Sequence, residues 1–261
     1  MAKGSIKKHT RRDFILFGAG TAITAAGFWW LMPDGFKQRH SGLHWLDSLE
    51  ARVGLTPDRR ERFLNRALTF DDDVAEALYS PGRRVRTYKP SDVTALKNNY
   101  HGPTPGPGYL ADWKLTLTGL ASGREEVLRV GDLLRFPHRD QVTRLCCVEG
   151  WSAIAWWGGL RFADLLRAHP PRPGARYAAM SSEVTDYYVS IDLPTAEHPQ
   201  TLLATHQNNA PLTLAHGAPL RLVVPMKLGL KNIKAITRIA YVQEEPRDFW
   251  AERGYSRYDG L

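Results

Sequence analysis

Residues 144–152 read Arg144-Leu145-Cys146-Cys147-Val148-Glu149-Gly150-Trp151-Ser152, and Trp157-Gly158-Gly159 follows shortly after. The two cysteines are the only ones in the chain, and they are neighbours. Adjacent cysteines make no ordinary disulfide, because their side chains diverge and the closing ring is strained. They cross-link no loop. There is no second cysteine cluster for zinc or iron–sulfur, and no Cys-x-x-Cys-His for covalent haem. Three readings of the pair stay open: small buried residues in a strand over 142–148, a reactive thiol, or a soft thiolate ligand to a metal whose other ligands come from a cofactor.

Outward from this stretch the pattern is mostly of strands. Upstream, Trp113-Lys114-Leu115-Thr116-Leu117-Thr118-Gly119 alternates with period two. Residues 127–129 make another short strand, and 131–134 start a helical turn. Downstream, strands are expected over 177–180, 187–191, 220–224 and 236–242, with a short amphipathic helix over 162–167. Residues 101–109 form a Pro/Gly-rich loop. Residues 41–80 read as helical: Thr56-Pro57-Asp58 supplies an N-cap with proline at the first helical position, and Phe70-Asp71-Asp72-Asp73 opens a second short helix. There is no βαβ rhythm, no Gly-x-Gly-x-x-Gly and no Walker loop, which argues against nicotinamide, flavin or nucleotide enzymes of those folds. The expected fold class is α+β, with mixed or antiparallel sheets and long irregular connections.

The chain has 261 residues, 35 of them Lys or Arg and 27 Asp or Glu, a net charge of +8. Residues 1–40 carry seven of the basic side chains against only Asp13 and Asp34, so the rest of the chain is close to neutral. That leaves little electrostatic reason to expect nucleic acid. The charge is concentrated in Lys7-Lys8-His9-Thr10-Arg11-Arg12, which runs into nineteen uncharged residues from Phe14 to Met32. An arginine pair just before an apolar stretch resembles a twin-arginine export signal. Five Gly and Thr residues make the stretch weakly hydrophobic, and Trp29-Trp30 would suit a membrane interface. The reading is export through the twin-arginine translocase to the periplasm, with the segment retained as an inner-membrane tether if it is not cleaved.

A second basic run lies downstream: His216-Gly217-Ala218-Pro219-Leu220-Arg221, then Met226-Lys227-Leu228-Gly229-Leu230-Lys231-Asn232-Ile233-Lys234. Arg221 can grip phosphate oxygens bidentately, while Lys227, Lys231 and Lys234 act as point charges. On spacing alone this run equally describes a solvated edge between two strands.

Together these stretches resemble the sulfite-oxidase family, in the bacterial branch that includes the catalytic subunits of periplasmic methionine-sulfoxide reductases. The run 144–152 with Trp157-Gly158-Gly159 is similar to that family's molybdenum-ligating cysteine segment. Residues 186–192 and 198–204 are similar to its middle region, and 216–234 to its pterin-binding segment. The resemblance covers roughly residues 85–245 and implies a molybdopterin-binding fold with mixed sheets and long loops. It divides the chain into a signal or anchor (1–40), a helical extension (41–84), the oxidoreductase domain (85–245) and a tail (246–261).

Carried over residue by residue, the resemblance makes Cys147 the metal ligand. Asn98 or Asn99, Ser182, His216, Arg221, Asn232, Ile233 and Lys234 become cofactor contacts, with Lys227 and Lys231 added from the basic run. Asp186 and Tyr187 are candidate catalytic residues, with Glu149 and His101 near the substrate. The implied cofactor is molybdenum-molybdopterin. The implied reaction is two-electron oxygen-atom transfer on a small S- or N-oxo compound, with sulfite oxidation or non-catalytic cofactor binding as the alternatives. Electrons would pass to or from a separate haem partner, either a membrane subunit or a periplasmic cytochrome. A monomer is expected. Three departures bear on the substrate: Cys146 is extra, Tyr100-His101 lacks an aromatic-acidic spacing, and no arginine-rich stretch follows the cysteine. A thiol redox protein using Cys146-Cys147 directly is the competing class.

Overall fold

The computed structural model describes residues 24–32, 34–80, 82–98, 104–106, 108–182 and 184–259. The arginine pair and the start of the apolar stretch lie outside them, as do Asn99, Tyr100 and His101. The chain divides into two compact units, Met1–Phe70 and Asp71–Leu261.

In the first unit, residues 24–31 are helical, followed by the helices Asp34–Arg39 and Trp45–Arg52. Trp29, read from sequence as suited to a membrane interface, is instead 2% exposed. Its indole Nε1 donates to Asp47 at 2.7 Å, and Lys37 lies 5.5 Å from its ring centre. Among the described residues no helix is long and apolar enough to cross a membrane.

The boundary between units falls within the helix Pro57–Leu78. That helix runs 22 residues without a break, where two were expected. No glycine or proline interrupts it after Pro57. Three consecutive aspartates lower helix propensity only slightly, so they do not start a new helix.

Among its described residues the second unit holds ten strands in two five-stranded sheets. In chain order they are β1 (Leu115–Thr118), β2 (Glu126–Leu128), β3 (Arg139–Cys146), β4 (Ser152–Arg161), β5 (Tyr177–Ser181), β6 (Tyr188–Asp192), β7 (Leu202–Gln207), β8 (Ala210–Pro211), β9 (Arg221–Val223) and β10 (Arg238–Val242). One sheet has the order β2-β1-β10-β5-β6, parallel only between β1 and β10. The other joins β3, β4 and β7, with β8 and β9 both pairing β7. This is the mixed α+β architecture expected. The main core runs through the first sheet, with Leu115, Leu117, Met180, Ile239 and Tyr241 buried beside Phe162 and Leu165 of the helix Phe162–Ala168.

Sequence patterning missed β4 and β7. β7 is almost continuously buried, and residues 153–157 of β4 are all apolar although their burial alternates, so neither sequence alternates between apolar and polar. A register shift at Gly158/Gly159 further blurs β4. Residues 246–261, read as a tail, contribute to the interior: Asp248 is fully buried, and Phe249 and Asp259 are nearly so.

Candidate active site

The site begins where β3 stops. β3 and β4 form a hairpin in which Cys146 is paired with Ser152. The strand expected over 142–148 therefore ends at Cys146, and Cys147 is the first residue of the connecting turn. Its N–H donates to Trp151 O at 2.9 Å, and its carbonyl accepts from Gly150 N at 3.1 Å. Gly150 has φ +85°, a left-handed conformation that glycine adopts without strain. The Cys147 thiol is thus carried on a hydrogen-bonded turn, as a reactive or ligating sulfur requires.

Cys147 opens onto a cavity of about 280 Å³. Trp151, Tyr187, Trp250 and Tyr255 give it aromatic walls, and Arg221 and Lys234 line it as well. Trp151 is held by Nε1 donation to Glu149 at 2.9 Å. Lys97 lies 3.5 Å from Glu149 and 5.8 Å from the Trp151 ring centre, so the cation nearest the mouth is partly neutralised. The Tyr187 hydroxyl donates to Leu230 O, and its ring sits 5.2 Å from Phe249. Burial, and then the nearby Asp248 carboxylate, push the phenol above its usual range. Tyr187 therefore keeps its proton and secures the 229–234 loop.

Beside that loop Arg221 and Lys234 meet the His216 imidazole. Arg221, 2% exposed, donates to His216 O at 3.0 Å and stacks 4.5 Å from the Trp157 ring. Lys234 Nζ donates to two neutral oxygens, Asn98 Oδ1 at 3.2 Å and Ala215 O at 3.0 Å. Burial, and then Arg221, bring the Lys234 ammonium down to about 7. His216 is lowered by burial, then by Lys234 and Arg221. Its Nδ1 is buried and meets no hydrogen-bond partner among the described residues, and the same holds for Ser182 Oγ. Gly217 is what lets this corner close: its φ is +98°, and a Cβ there would come within 2.8 Å of the Lys234 side chain. Arg221 disfavours the Lys234 ammonium, and both disfavour a charged His216, so the corner is one an anion would stabilise.

Asn232 and Ile233 line the cavity too, but the Asn232 side chain braces the loop. Its Oδ1 accepts from Val224 N at 2.9 Å and its Nδ2 donates to Leu228 O at 3.0 Å. Asp186 is exposed and does not line the cavity.

Lys227 and Lys231, grouped with Lys234 by sequence, belong elsewhere: both line a separate cavity of about 110 Å³. Lys231 is 1% exposed and pairs with Asp248 at 2.6 Å and Asp259 at 3.8 Å. Its charge is met by carboxylates of this chain, because an ammonium at that depth needs a counter-charge. Lys227 lies 3.0 Å from the Tyr258 ring centre and is lowered to about 7, mainly by burial. Asp248 also accepts from Trp250 N and Ala251 N, both at 3.3 Å. The C-terminal residues Trp250 and Tyr255 were not anticipated as pocket walls. The available clue was chemical: a lysine between Leu230 and Asn232 in a core-forming run calls for a buried acid.

The chain matches a family model described as "Oxidoreductase molybdopterin binding domain" over residues 101–250. A putative protein-methionine-sulfoxide reductase subunit YedZ1 of Azospira oryzae is 34% identical over 86% of each chain. The protein-methionine-sulfoxide reductase catalytic subunits MsrP of Xanthomonas campestris and Campylobacter jejuni are 34% and 32% identical. Those alignments cover 64% and 56% of this chain, and the chain spans only 59% and 54% of the length of those two relatives. Among solved structures, the sulfane dehydrogenase SoxCD of Paracoccus pantotrophus is 21% identical with a TM-score of 0.48, covering 52% of this chain and 39% of that one.

The residues present fit such a group. Cys147 lines the cavity with a soft sulfur, and Arg221 and Lys234 line it with cations for a phosphate, beside the His216 imidazole. A rigid thiol and an anion-seeking loop thus share one pocket, within the stretch the family model covers, and the chain belongs to the molybdopterin-binding oxidoreductases of the sulfite-oxidase family.

Proposed function

We propose that this protein is an exported molybdenum enzyme that reduces a thioether S-oxide, with a methionine-sulfoxide side chain as the substrate class. The observation that carries the reading is the cavity itself: a thiol on a rigid turn, aromatic walls, and cations gathered on the 221–234 side. Aromatic faces suit the methyl and methylene groups flanking a sulfur. A sulfite dianion would call for cations at the mouth, where Lys97 is already offset by Glu149.

Bound molybdenum-molybdopterin supplies two-electron oxygen-atom transfer. The chain's own residues do the rest. Cys147 would hold the metal through its thiolate. Arg221, Lys234 and His216 would hold the terminal phosphate, with Asn98 orienting the Lys234 side chain. Trp151, Trp250 and Tyr255 orient the substrate and exclude water. Tyr187 fixes the loop behind the pocket. In balance, a sulfoxide, two electrons and two protons give a thioether and water. The electrons come singly from a haem protein, either a membrane subunit or a soluble periplasmic cytochrome. The relatives named as methionine-sulfoxide reductase subunits support this reading, and the twin-arginine pattern supports a periplasmic location.

The test is a dye-coupled assay on protein matured in molybdenum-replete cells. Reduced viologen should be oxidised on adding methionine sulfoxide, with about one molybdenum per chain. Rapid sulfite oxidation without sulfoxide reduction would overturn the substrate assignment. Metal-free protein of unchanged activity would overturn the enzyme class.

A further inference from the structure

Cys146 has no role in the site above, yet it lines a cavity of its own. At the end of β3, successive residues turn to opposite sides: Leu145 and Cys147 line the active-site cavity, whereas Cys146 lines a second cavity of about 330 Å³. This is the two-residue alternation of extended chain. The facing loop passes from one cavity to the other, with Pro225, Met226, Lys227 and Leu228 on the second and Gly229 and Leu230 on the first. The two segments are pressed together: a Cβ on Gly229 would lie 3.3 Å from Cys146 O and 3.6 Å from Cys147 Cα. The wall between the cavities is therefore a single layer of backbone there.

The second cavity has an apolar floor, including Leu78, Pro225 and Met226, and a cationic rim of Arg83 and Arg84. The rim is held rigidly. Arg83 O is bonded to the buried His198 Nε2 at 3.0 Å, and Val85 N donates to Gln200 Oε1 at 2.8 Å. Further along the same segment, Arg86 lies over the Tyr88 ring at 5.0 Å, and Arg144 of β3 lies over it at 5.5 Å. All four arginines are exposed. None forms an ion pair among the described residues.

We propose that this cavity and its arginine rim dock an acidic haem protein that delivers electrons through the Cys146–Cys147 backbone. The inference rests on the oxygen-transfer reading above and names the face its electron donor uses. An apolar centre ringed by charge of one sign steers a partner of opposite sign and excludes water where the redox group sits. Small, transient interfaces of this kind are typical of redox encounters. An anionic membrane or a nucleic acid would engage the arginines, but has no use for an apolar cavity backed by the ligand cysteine. The step balances: two haem irons, or one iron twice, pass from ferrous to ferric, one electron each time. The substrate takes both electrons and two protons.

The test pairs Arg83→Glu/Arg84→Glu with a second variant, Met226→Glu, which charges the cavity floor. The probe is a soluble c-type cytochrome of net negative charge. The expected result is at least a tenfold fall in the second-order rate of cytochrome oxidation at low salt, with a flatter dependence on ionic strength. Calorimetric binding of the cytochrome should weaken in parallel, while reduced-viologen turnover stays within twofold. An unchanged cytochrome rate, or an equal loss with the dye, overturns the proposal. So does loss of binding to anionic vesicles with cytochrome binding intact. If the wild-type protein fails to reduce sulfoxide with the dye, the oxygen-transfer reading falls, and calorimetry on the same variants still decides the docking face.

Discussion

Two lysines three residues apart on one loop have opposite fates. Lys231 is sunk beside Asp248 and Asp259. Lys234 reaches neutral oxygens and shares its corner with Arg221 and His216. Both look alike in sequence: a lysine in a glycine- and asparagine-containing loop between two strands. The difference is in the neighbours each meets. Lys231 meets two carboxylates, so that cluster is a cross-link that ties the C-terminal residues to the loop. At the Lys234 corner cations crowd cations, so that cluster suits a ligand. A charge balanced from within builds the fold, and one crowded by its own sign recruits from outside.

The contrast can be broken by substitution. The largest effect should be at the sulfur: Cys147→Ser is expected to lose essentially all molybdenum and turnover while its circular dichroism and unfolding midpoint stay near wild type. Retained metal would remove Cys147 from the site. Next, Lys231→Met should destabilise the fold by about 3–5 kcal/mol, because it strands a buried carboxylate. Urea unfolding measures this. Lys231→Met/Asp248→Asn should recover much of the loss, since removing both partners of a buried pair is often nearly neutral. Failure to recover would mean that Asp248 acts mainly through its bonds to Trp250 and Ala251.

Lys234→Met should do the reverse. Its cofactor-free stability should change by less than about 1 kcal/mol, because a desolvated cation is removed. Affinity for the cofactor, or for inorganic phosphate used as a probe, should fall about tenfold, the worth of one charge-assisted hydrogen bond. Equal stability losses in Lys231→Met and Lys234→Met would erase the distinction.

The smallest effect is in the pH dependence. Lys234 and Lys227 are lowered to about 7, so the unfolded chain binds more protons between about 7 and 10. For these groups, cofactor-free stability should rise with pH across that window and reach its floor below about 7. Asp259, raised to about 6 chiefly by burial, runs the other way. Its contribution is full below about 4 and is lost as pH rises through about 6. Added phosphate should flatten the alkaline slope in wild type and leave it unchanged in Lys234→Met. Thermal midpoints across pH 5–10 would reveal either pattern.

Cys147, Arg221 and the Asn232-Ile233-Lys234 stretch were legible through the family resemblance, because residue types and spacing alone left structural readings of each open. Strands with one wet face, such as β1, were legible from alternation. β7 was not, because burial on both faces removes the polar half of the pattern, and β4 was not, because apolar residues stand on its less buried face too. The helix Pro57–Leu78 was mistaken for two because aspartates that favour a helix start are also tolerated within one. Trp29 was read as suited to a membrane interface for its amphipathic ring, which a polar partner within the fold such as Asp47 satisfies equally well.

By itself the sequence determined the class of chemistry: an unpaired thiol, a phosphate-seeking loop and a mixed α+β chain, all matters of residue identity and local order. Only the tertiary structure decided which lysine is scaffold and which faces the ligand. The same holds for Trp250 and Tyr255, which come back from the far end of the chain to wall the pocket, and for Cys146 and Cys147, which open onto different cavities. The physical reason is common to all three. The state of a charge, a ring or a thiol depends on what lies within a few ångströms of it, and here those neighbours are distant along the chain.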